Sequence, residues 1–242
     1  MLEQLDLTRA IRKEEYKSRL PVLQERLYEL QLAASETGLA SVIVFEGWDA
    51  AGKGTCINVL TNRLEPRAFR LHVVEEPGTR ELHMPWLCRF WQHIPNYGQM
   101  ALFDRSWYRR VLEERVEKVA ARSEWEQAYR DIIHFERMLA EDGYALVKLF
   151  LHIGKKEQKH RLRRLESDPL TSWQVQPGDW KRHRKYGKYL AAAEEMLERT
   201  ESEWGPWTIV EATDRYWTRI AVFEAIVRTL EVAAARRKAV KA

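Results

Sequence analysis

The sequence predicts an α/β fold of three layers, a five-stranded parallel sheet with helices on both faces and a basic helical lid. Three observations predict it. Five short apolar runs alternate with helical patterns. The first run leads into a glycine-rich loop that ends in a lysine, and the third ends in an aspartate followed by arginines. Buried apolar strands that alternate with helices give a parallel sheet covered on both faces. Sites in such sheets lie at the carboxyl ends of the strands.

Composition sets the frame. The chain has 242 residues, enough for one α/β domain with an appended lid. Its hydrophobic content of 45% and charged content of 31% are those of a soluble globular protein. The net charge of +4 mildly favours an anionic partner. Two cysteines, Cys56 and Cys88, are too few for a disulfide framework, so a reducing, cytoplasmic setting is expected. No apolar run approaches the roughly 20 residues that span a bilayer, so no membrane role is expected. The start, Met1-Leu2-Glu3-Gln4, does not read as a signal peptide.

Residues 1–38 read as an N-terminal helical arm. Leu20, Leu23, Leu27 and Leu30 recur at helical spacing, Pro21 suits a first turn or a kink, and Gly38 is the stop. The first dozen residues read equally as an extension. The main domain is expected over 39–232, with a lid at about 154–190, and 233–242 is a basic tail with a frayed end. The strands are about 39–46, 69–74, 100–104, 145–151 and 207–211. Between the third and fourth, Trp125, Ala128, Tyr129, Ile132, Phe135, Met138 and Leu139 share one helical face, and Gly143 follows. After the fifth, Trp217, Ile220, Phe223, Val227 and Leu230 do the same.

The organising stretch is Glu46-Gly47-Trp48-Asp49-Ala50-Ala51-Gly52-Lys53-Gly54-Thr55. Strand, G-x-x-x-x-G-K loop and helix is the context of a phosphate-binding loop. Gly47 and Gly52 let the backbone bend so that amides from Trp48, Ala50, Ala51, Gly54 and Thr55 can face an anion. The helix N-terminus faces it too, and Lys53 adds a mobile positive charge. Two details depart from the common pattern. Gly54 stands where Ser or Thr usually holds magnesium, with Thr55 one place later. The loop also carries a carboxylate, Asp49, which reads as a magnesium ligand or as a group that orients the reacting phosphoryl; a loop-capping role is the bland alternative.

Strand three ends in Phe103-Asp104-Arg105-Ser106-Trp107-Tyr108-Arg109-Arg110. An Asp at that strand end is where a P-loop enzyme reaches its metal, so Asp49 and Asp104 are candidate ligands of one hard cation. Arg105, Arg109 and Arg110 are candidates to hold a further anion. The bland reading is an N-cap Asp before solvated arginines. From Gly154 to Leu190 eleven bases face four acids, a net +7 that leaves −3 for the remainder. Arg161 and Arg164, one helical turn apart, can both point into the cleft, and Lys156 adds to the basic run. A lid arginine at developing charge is worth about 10³–10⁵ in rate. So much charge suits a nucleic acid or a long inorganic polyanion. The aromatics Trp173, Trp180, Tyr186 and Tyr189 are not interleaved with the bases as a stacking platform would be, which disfavours nucleic acid.

With these residues in place, the chain resembles the polyphosphate kinase 2 family. The matching stretches are EGWDAAGKG at 46–54, Leu64-Glu65-Pro66-Arg67, RFWQHIP at 89–95 with Gly98, FDRSWY at 103–108 and VLEERVE at 111–117. Later come FERML at 135–139, KKEQKHRLRRLESDP at 155–169, Trp173, DW at 179–180 and GPW at 205–207. They run in the family's order over roughly 38–230. The resemblance implies a P-loop kinase fold and phosphoryl transfer between inorganic polyphosphate and adenine or guanine nucleotides, with Mg2+ or Mn2+. It is nearest to the type that converts AMP to ADP, with ADP to ATP as a further step. It implies that Asp49 and Asp104 hold the metal, that Lys53 is the loop lysine, that Arg105 is catalytic, and that Arg161 or Arg164 is the essential lid arginine. It also implies a homo-oligomer, a dimer or tetramer. Thr55 and Arg109 stand where many members have Gly, which leaves the acceptor open.

An in-line transfer needs no strong base, because a nucleotide's terminal phosphate oxygen is already an anion. Aligning two polyanions and neutralising their charge is then the whole task. Trp48 or Trp91 is a candidate for base specificity, with a core role as the alternative for Trp91. The rival enzyme reading is an ATP-dependent nucleoside monophosphate kinase similar to thymidylate kinase. The rival of another class is a non-enzymatic P-loop protein that binds nucleic acid.

Overall fold

In the computed structural model, residues 1–241 are described, the side chains of 238–241 excepted. Five strands form one sheet: β1 (Ser41–Gly47), β2 (Phe69–Val73), β3 (Met100–Asp104), β4 (Ala145–His152) and β5 (Trp207–Glu211). Their order is β2-β3-β1-β4-β5, and every pairing is parallel. The helices are α1 (Lys13–Thr37), α2 (Lys53–Thr61), the single turns α3 (Thr79–Leu82), α4 (Cys88–Trp91) and α5 (Glu113–Val116), then α6 (Arg122–Glu141), α7 (Lys155–Ser167), α8 (Pro177–Arg184), α9 (Tyr186–Arg199) and α10 (Arg215–Lys241). The predicted three-layer α/β fold is what forms, and each predicted strand appears within a residue or two of its expected bounds.

Alternation along each strand builds two cores. Ile43, Phe45, Leu102, Val147 and Leu149 face α1, α2 and α10. Val42, Val44, Phe103, Leu146 and Phe150 face α6 and α9. The central strands β1, β3 and β4 are buried almost throughout, which explains their unbroken apolar runs. The edge strand β2 exposes Leu71 and Val73.

From Lys13 the arm is a helix packed on the core, whereas residues 5–12 form no helix. Leu27 and Leu30 are buried under α10, and Gly38 closes α1 in the left-handed region at φ 73°. Pro21 lies inside α1, not in its first turn. Residues 2–4 make a 3-10 turn; Leu2 is fully buried in the second core, and the Met1 amino group pairs with Glu194. The tail is not a separate element through Lys241. It continues α10, with Ala233 and Ala234 on the core and the Arg237 guanidinium donating to the Thr37 carbonyl. The end of the expected basic tail, residue 242 and the side chains from 238 on, lies outside the described residues. Among the described residues no helix is long and apolar enough to cross a membrane.

One charged pair sits inside the sheet. Lys148, central in β4, is 1% exposed and donates to Glu136 Oε2 at 2.8 Å, to the Tyr108 hydroxyl and to the Thr200 carbonyl. Glu136 Oε1 accepts from Trp107 Nε1 and the Tyr108 hydroxyl. The network fastens the segment after β3 to α6 and β4. Removing one partner of a buried pair strands a charge and costs about 3–5 kcal/mol. We therefore expect Glu136→Ala to lose that much stability in urea unfolding, and Glu136→Gln, which keeps an acceptor, to lose less.

Candidate active site

The loop leaves β1 at a point of close backbone contact. A Cβ on Gly47 would lie 2.2 Å from the Leu151 carbonyl oxygen of β4, so only glycine fits there. Its φ of 125°, with 61° at Ala50 and 101° at Gly52, winds the loop back on itself. α2 then starts at Lys53, and its first amides have no intrahelical acceptor. Gly54 and Thr55 are exposed at that helix start. The Lys53 ammonium is folded over the loop and donates to the carbonyls of Gly47 (2.9 Å) and Trp48 (3.0 Å).

Trp48 corrects two expectations. Its backbone N–H is engaged with the Leu151 carbonyl, and the Ala51 N–H with the Trp48 carbonyl, so neither amide is turned to an anion in this state. Its ring is buried, stacked on Tyr186 at 4.0 Å, and its indole N–H donates to His152 Nδ1. Burial lowers the His152 pKa to about 4, in keeping with a neutral ring that accepts this bond. A base-reading role for the Trp48 side chain is therefore not what the packing provides. Trp91 is partly exposed, with its ring edge-on to Phe135.

Asp49 projects from the loop between two guanidiniums. Its Oδ1 accepts from Arg105 at 2.7 Å and its Oδ2 from Arg182 at 2.6 Å. Burial works against ionisation, but Arg182, Arg105 and Lys53 outweigh it and hold the carboxyl below its ordinary pKa. Arg105 sits at φ 63°, a strained conformation for a non-glycine residue, held by its N–H to the Phe45 carbonyl and by Glu113. Glu113 also binds Arg109, whose other guanidinium nitrogen donates to the Val74 carbonyl. Arg110 is turned to Glu114 and the Trp86 ring. Asp104 makes no side-chain hydrogen bond or ion pair among the described residues and lies beside Gly54, where a Cβ would be 4.0 Å from its Oδ2.

The lid arginines differ in kind. Arg161 is a clamp: its five donors go to Glu157, to the loop carbonyls of Ala50 and Ala51, and to the carbonyls of Ala212 and Thr213 after β5. It is engaged in holding the loop, whereas the sequence reads it as a catalytic arginine that can point into the cleft. Arg164 and Lys156 are exposed, with no side-chain partner among the described residues, and neither lines the cavity beside Asp49. The residue from the lid that does reach it is Arg182 of α8. Glu46, Gln158 and Glu113 also line the cavity of about 40 Å³ between Asp49, Arg105 and Arg182. Gln158 ties lid to loop, donating to the Asp49 carbonyl and facing His183 Nδ1. The sequence assigns no role in the site to Arg182, Gln158 or Glu113. Arg182 is one of many lid bases, and its partner is 133 residues away.

The two carboxylates at adjoining strand ends suit a magnesium ion. Hard oxygen donors from one or two residues, completed by phosphates and water, are its usual set. Among the described residues Asp104 has no side-chain partner, whereas both Asp49 oxygens accept from guanidiniums. Among the described residues no cluster of three or more His, Cys, Asp or Glu forms a self-sufficient cage.

A phosphate loop on a parallel sheet, roofed by a helical lid with arginines, makes this a P-loop protein of the kinase-like α/β class. A model of the polyphosphate kinase 2 family matches residues 10–238. A polyphosphate:AMP phosphotransferase of Pseudomonas syringae pv. tomato is 39% identical over 238 residues, covering 98% of this chain and 48% of the relative. An ADP-polyphosphate phosphotransferase of Pseudomonas aeruginosa is 38% identical, covering 90% and 72%. The crystal structure of polyphosphate kinase 2 from Arthrobacter aurescens TC1 aligns with a TM-score of 0.92 at 29% identity, over 100% of this chain and 93% of that one. The chain spans half the length or less of the polyphosphate:AMP phosphotransferases it matches. The chain belongs to the polyphosphate kinase 2 family.

Glu46 gives the site a pH signature. Burial raises its carboxyl pKa to about 7, against a bond from Ser106 and the charge of Lys53. A raised acid is at no disadvantage below its unfolded pKa of 4.5 and loses stability as pH climbs to about 7. We expect Glu46→Gln, which keeps an acceptor for Ser106, to gain stability over the parent between pH 5 and pH 8, on the order of 3 kcal/mol. Urea unfolding at the two pH values measures the gain; equal differences at both would refute the assignment.

Proposed function

We propose that the chain transfers phosphoryl groups in line, with magnesium, between inorganic polyphosphate and nucleoside mono- or diphosphates with adenine or guanine bases. The observation that carries this is the basic cleft over the loop. Lys53, Arg105 and Arg182 converge on it from three separate elements around a loop acid. Relatives named polyphosphate:AMP, ADP-polyphosphate and GDP-polyphosphate phosphotransferase support it, since each aligns with most of this chain.

In this reading the start of α2 and the loop amides of Asp49, Ala50 and Gly52 cradle one phosphate. The Lys53 ammonium leaves the carbonyls of Gly47 and Trp48 to follow the transferred group. Arg105, fixed at the end of β3, faces the charge that builds between donor and acceptor. Glu113 sets its angle and holds Arg109 beside it, toward the end of β2, where a second anion can bind. Asp49 and Asp104 would hold magnesium, whose charge would offset that of the phosphates. The acceptor oxygen is already anionic, so no side chain has to remove a proton. Arg161 keeps the loop in shape throughout.

Polyphosphate and ATP, each offered with AMP, ADP, GMP or GDP, provide the test. The expected result is product with polyphosphate and a nucleotide acceptor. A protein that works with ATP and is inert with polyphosphate would overturn the proposal. Lys53→Ala and Asp104→Asn should each lower kcat by about 10²–10³, the usual loss for a group that stabilises developing charge.

A further inference from the structure

Among the lid's cations, Arg182 alone of the described residues bonds to Asp49, and it does so at the carboxylate oxygen that Arg105 leaves open. Its Nε donates to Asp49 Oδ2 at 2.6 Å, while the NH2 end binds Asp179, three residues earlier on α8. Asp179 is itself fixed, since its second oxygen accepts from the Gln176 N–H. The guanidinium thus has two carboxylates within reach, one on the loop and one on its own helix. Further polar ties hold this part of the lid. His183 faces Gln158, and Lys181 and Lys185 pair with Glu117, which also accepts from the Tyr189 hydroxyl. Beneath them the cavity of about 40 Å³ has room for only a few waters.

We propose that Arg182 is the lid's functional arginine, a positioning residue that holds Asp49 until a divalent cation takes its place. The proposal rests on the reading of Asp49 as a cation ligand. A cation at about 2.0–2.1 Å from that oxygen competes with the guanidinium now held there at 2.6 Å, because two positive charges then draw on one carboxylate. Arg105 cannot step back as readily. It is anchored at the end of β3 by its own N–H to the Phe45 carbonyl and by Glu113. Arg182 rides on a lid helix and has Asp179 to receive it. Cation loading therefore favours release of Arg182 and, with it, of α8. The released guanidinium stays at the rim of the cleft on Asp179, close to where an incoming phosphate must pass.

Manganese binding without nucleotide, followed by water-proton relaxation, tests the exchange. Arg182→Ala should bind Mn2+ about three- to tenfold tighter than the parent, the scale of a half-buried ion pair. Arg182→Lys, which keeps the charge but not the fork, should fall between them. Asp49→Asn should lose the site. Hydrogen exchange over residues 177–184 should speed up when Mg2+ is added to the parent. In Asp49→Asn it should be fast from the outset and indifferent to Mg2+. If Asp49→Asn loses the ion while Arg182→Ala binds it no tighter, the exchange is wrong and Asp49 remains a cation ligand. If Asp49→Asn binds Mn2+ as the parent does, the cation reading of Asp49 and the exchange fall together.

Discussion

A carboxylate held out from a backbone loop, in a cleft, between guanidiniums from opposite sides is the constraint on which this site turns. Asp49 is 11% exposed at its side chain, and a lone acid so placed would hold its proton. It stays ionised because Arg105 comes to it from the sheet and Arg182 from the lid. That ties three parts of the chain into one electrostatic unit. The loop is shaped by Gly47 and clamped by Arg161. The strand end is shaped by the strained Arg105. The lid is brought down by α8. Each of these would be costly alone, as an unpaired buried charge or a left-handed non-glycine residue, and each is offset by the others.

Beneath the cleft, a second set of charges does a different kind of work. Lys148 and Glu136 lie in the hydrophobic layer between sheet and helices, at about 1% exposure, and their remaining donors and acceptors are met by Trp107, Tyr108 and Thr200. Trp107 and Tyr108 follow Arg105 and Ser106 directly. The buried pair therefore fixes the backbone from which the site arginine projects, while Ser106 reaches forward to Glu46. Satisfied buried polar networks of this kind give a unique arrangement more than they give stability.

Much of the fold was legible in the sequence because its signals are local. β1, β3 and β4 are buried on both faces and so read as continuous apolar runs, and α6 shows its apolar stripe directly. The loop was legible because glycines and a lysine at fixed spacing carry their own geometry. The lid arginines were not. Arg161, Arg164 and Arg182 are equivalent as letters in a basic run, and what separates them is which carbonyl or carboxylate the fold brings within 3 Å. Arg161 finds the carbonyls of Ala212 and Thr213, some fifty residues on; Arg182 finds Asp49, 133 residues back. The place of Trp48 is illegible for the same reason: Tyr186 and His152, which enclose it, come from distant segments.

The clamp made by Arg161 also sets an order of assembly. The phosphate loop is encoded in the first quarter of the chain, yet two of the carbonyls that anchor its clamp follow β5, the last strand to be made. Loop, lid and site arginines can all be synthesised while that anchor is still missing. A chain growing from its N-terminus gains a braced phosphate loop only once β5 has joined the sheet and brought residues 212 and 213 into place, so a product truncated or stalled before them carries the motif without its full brace.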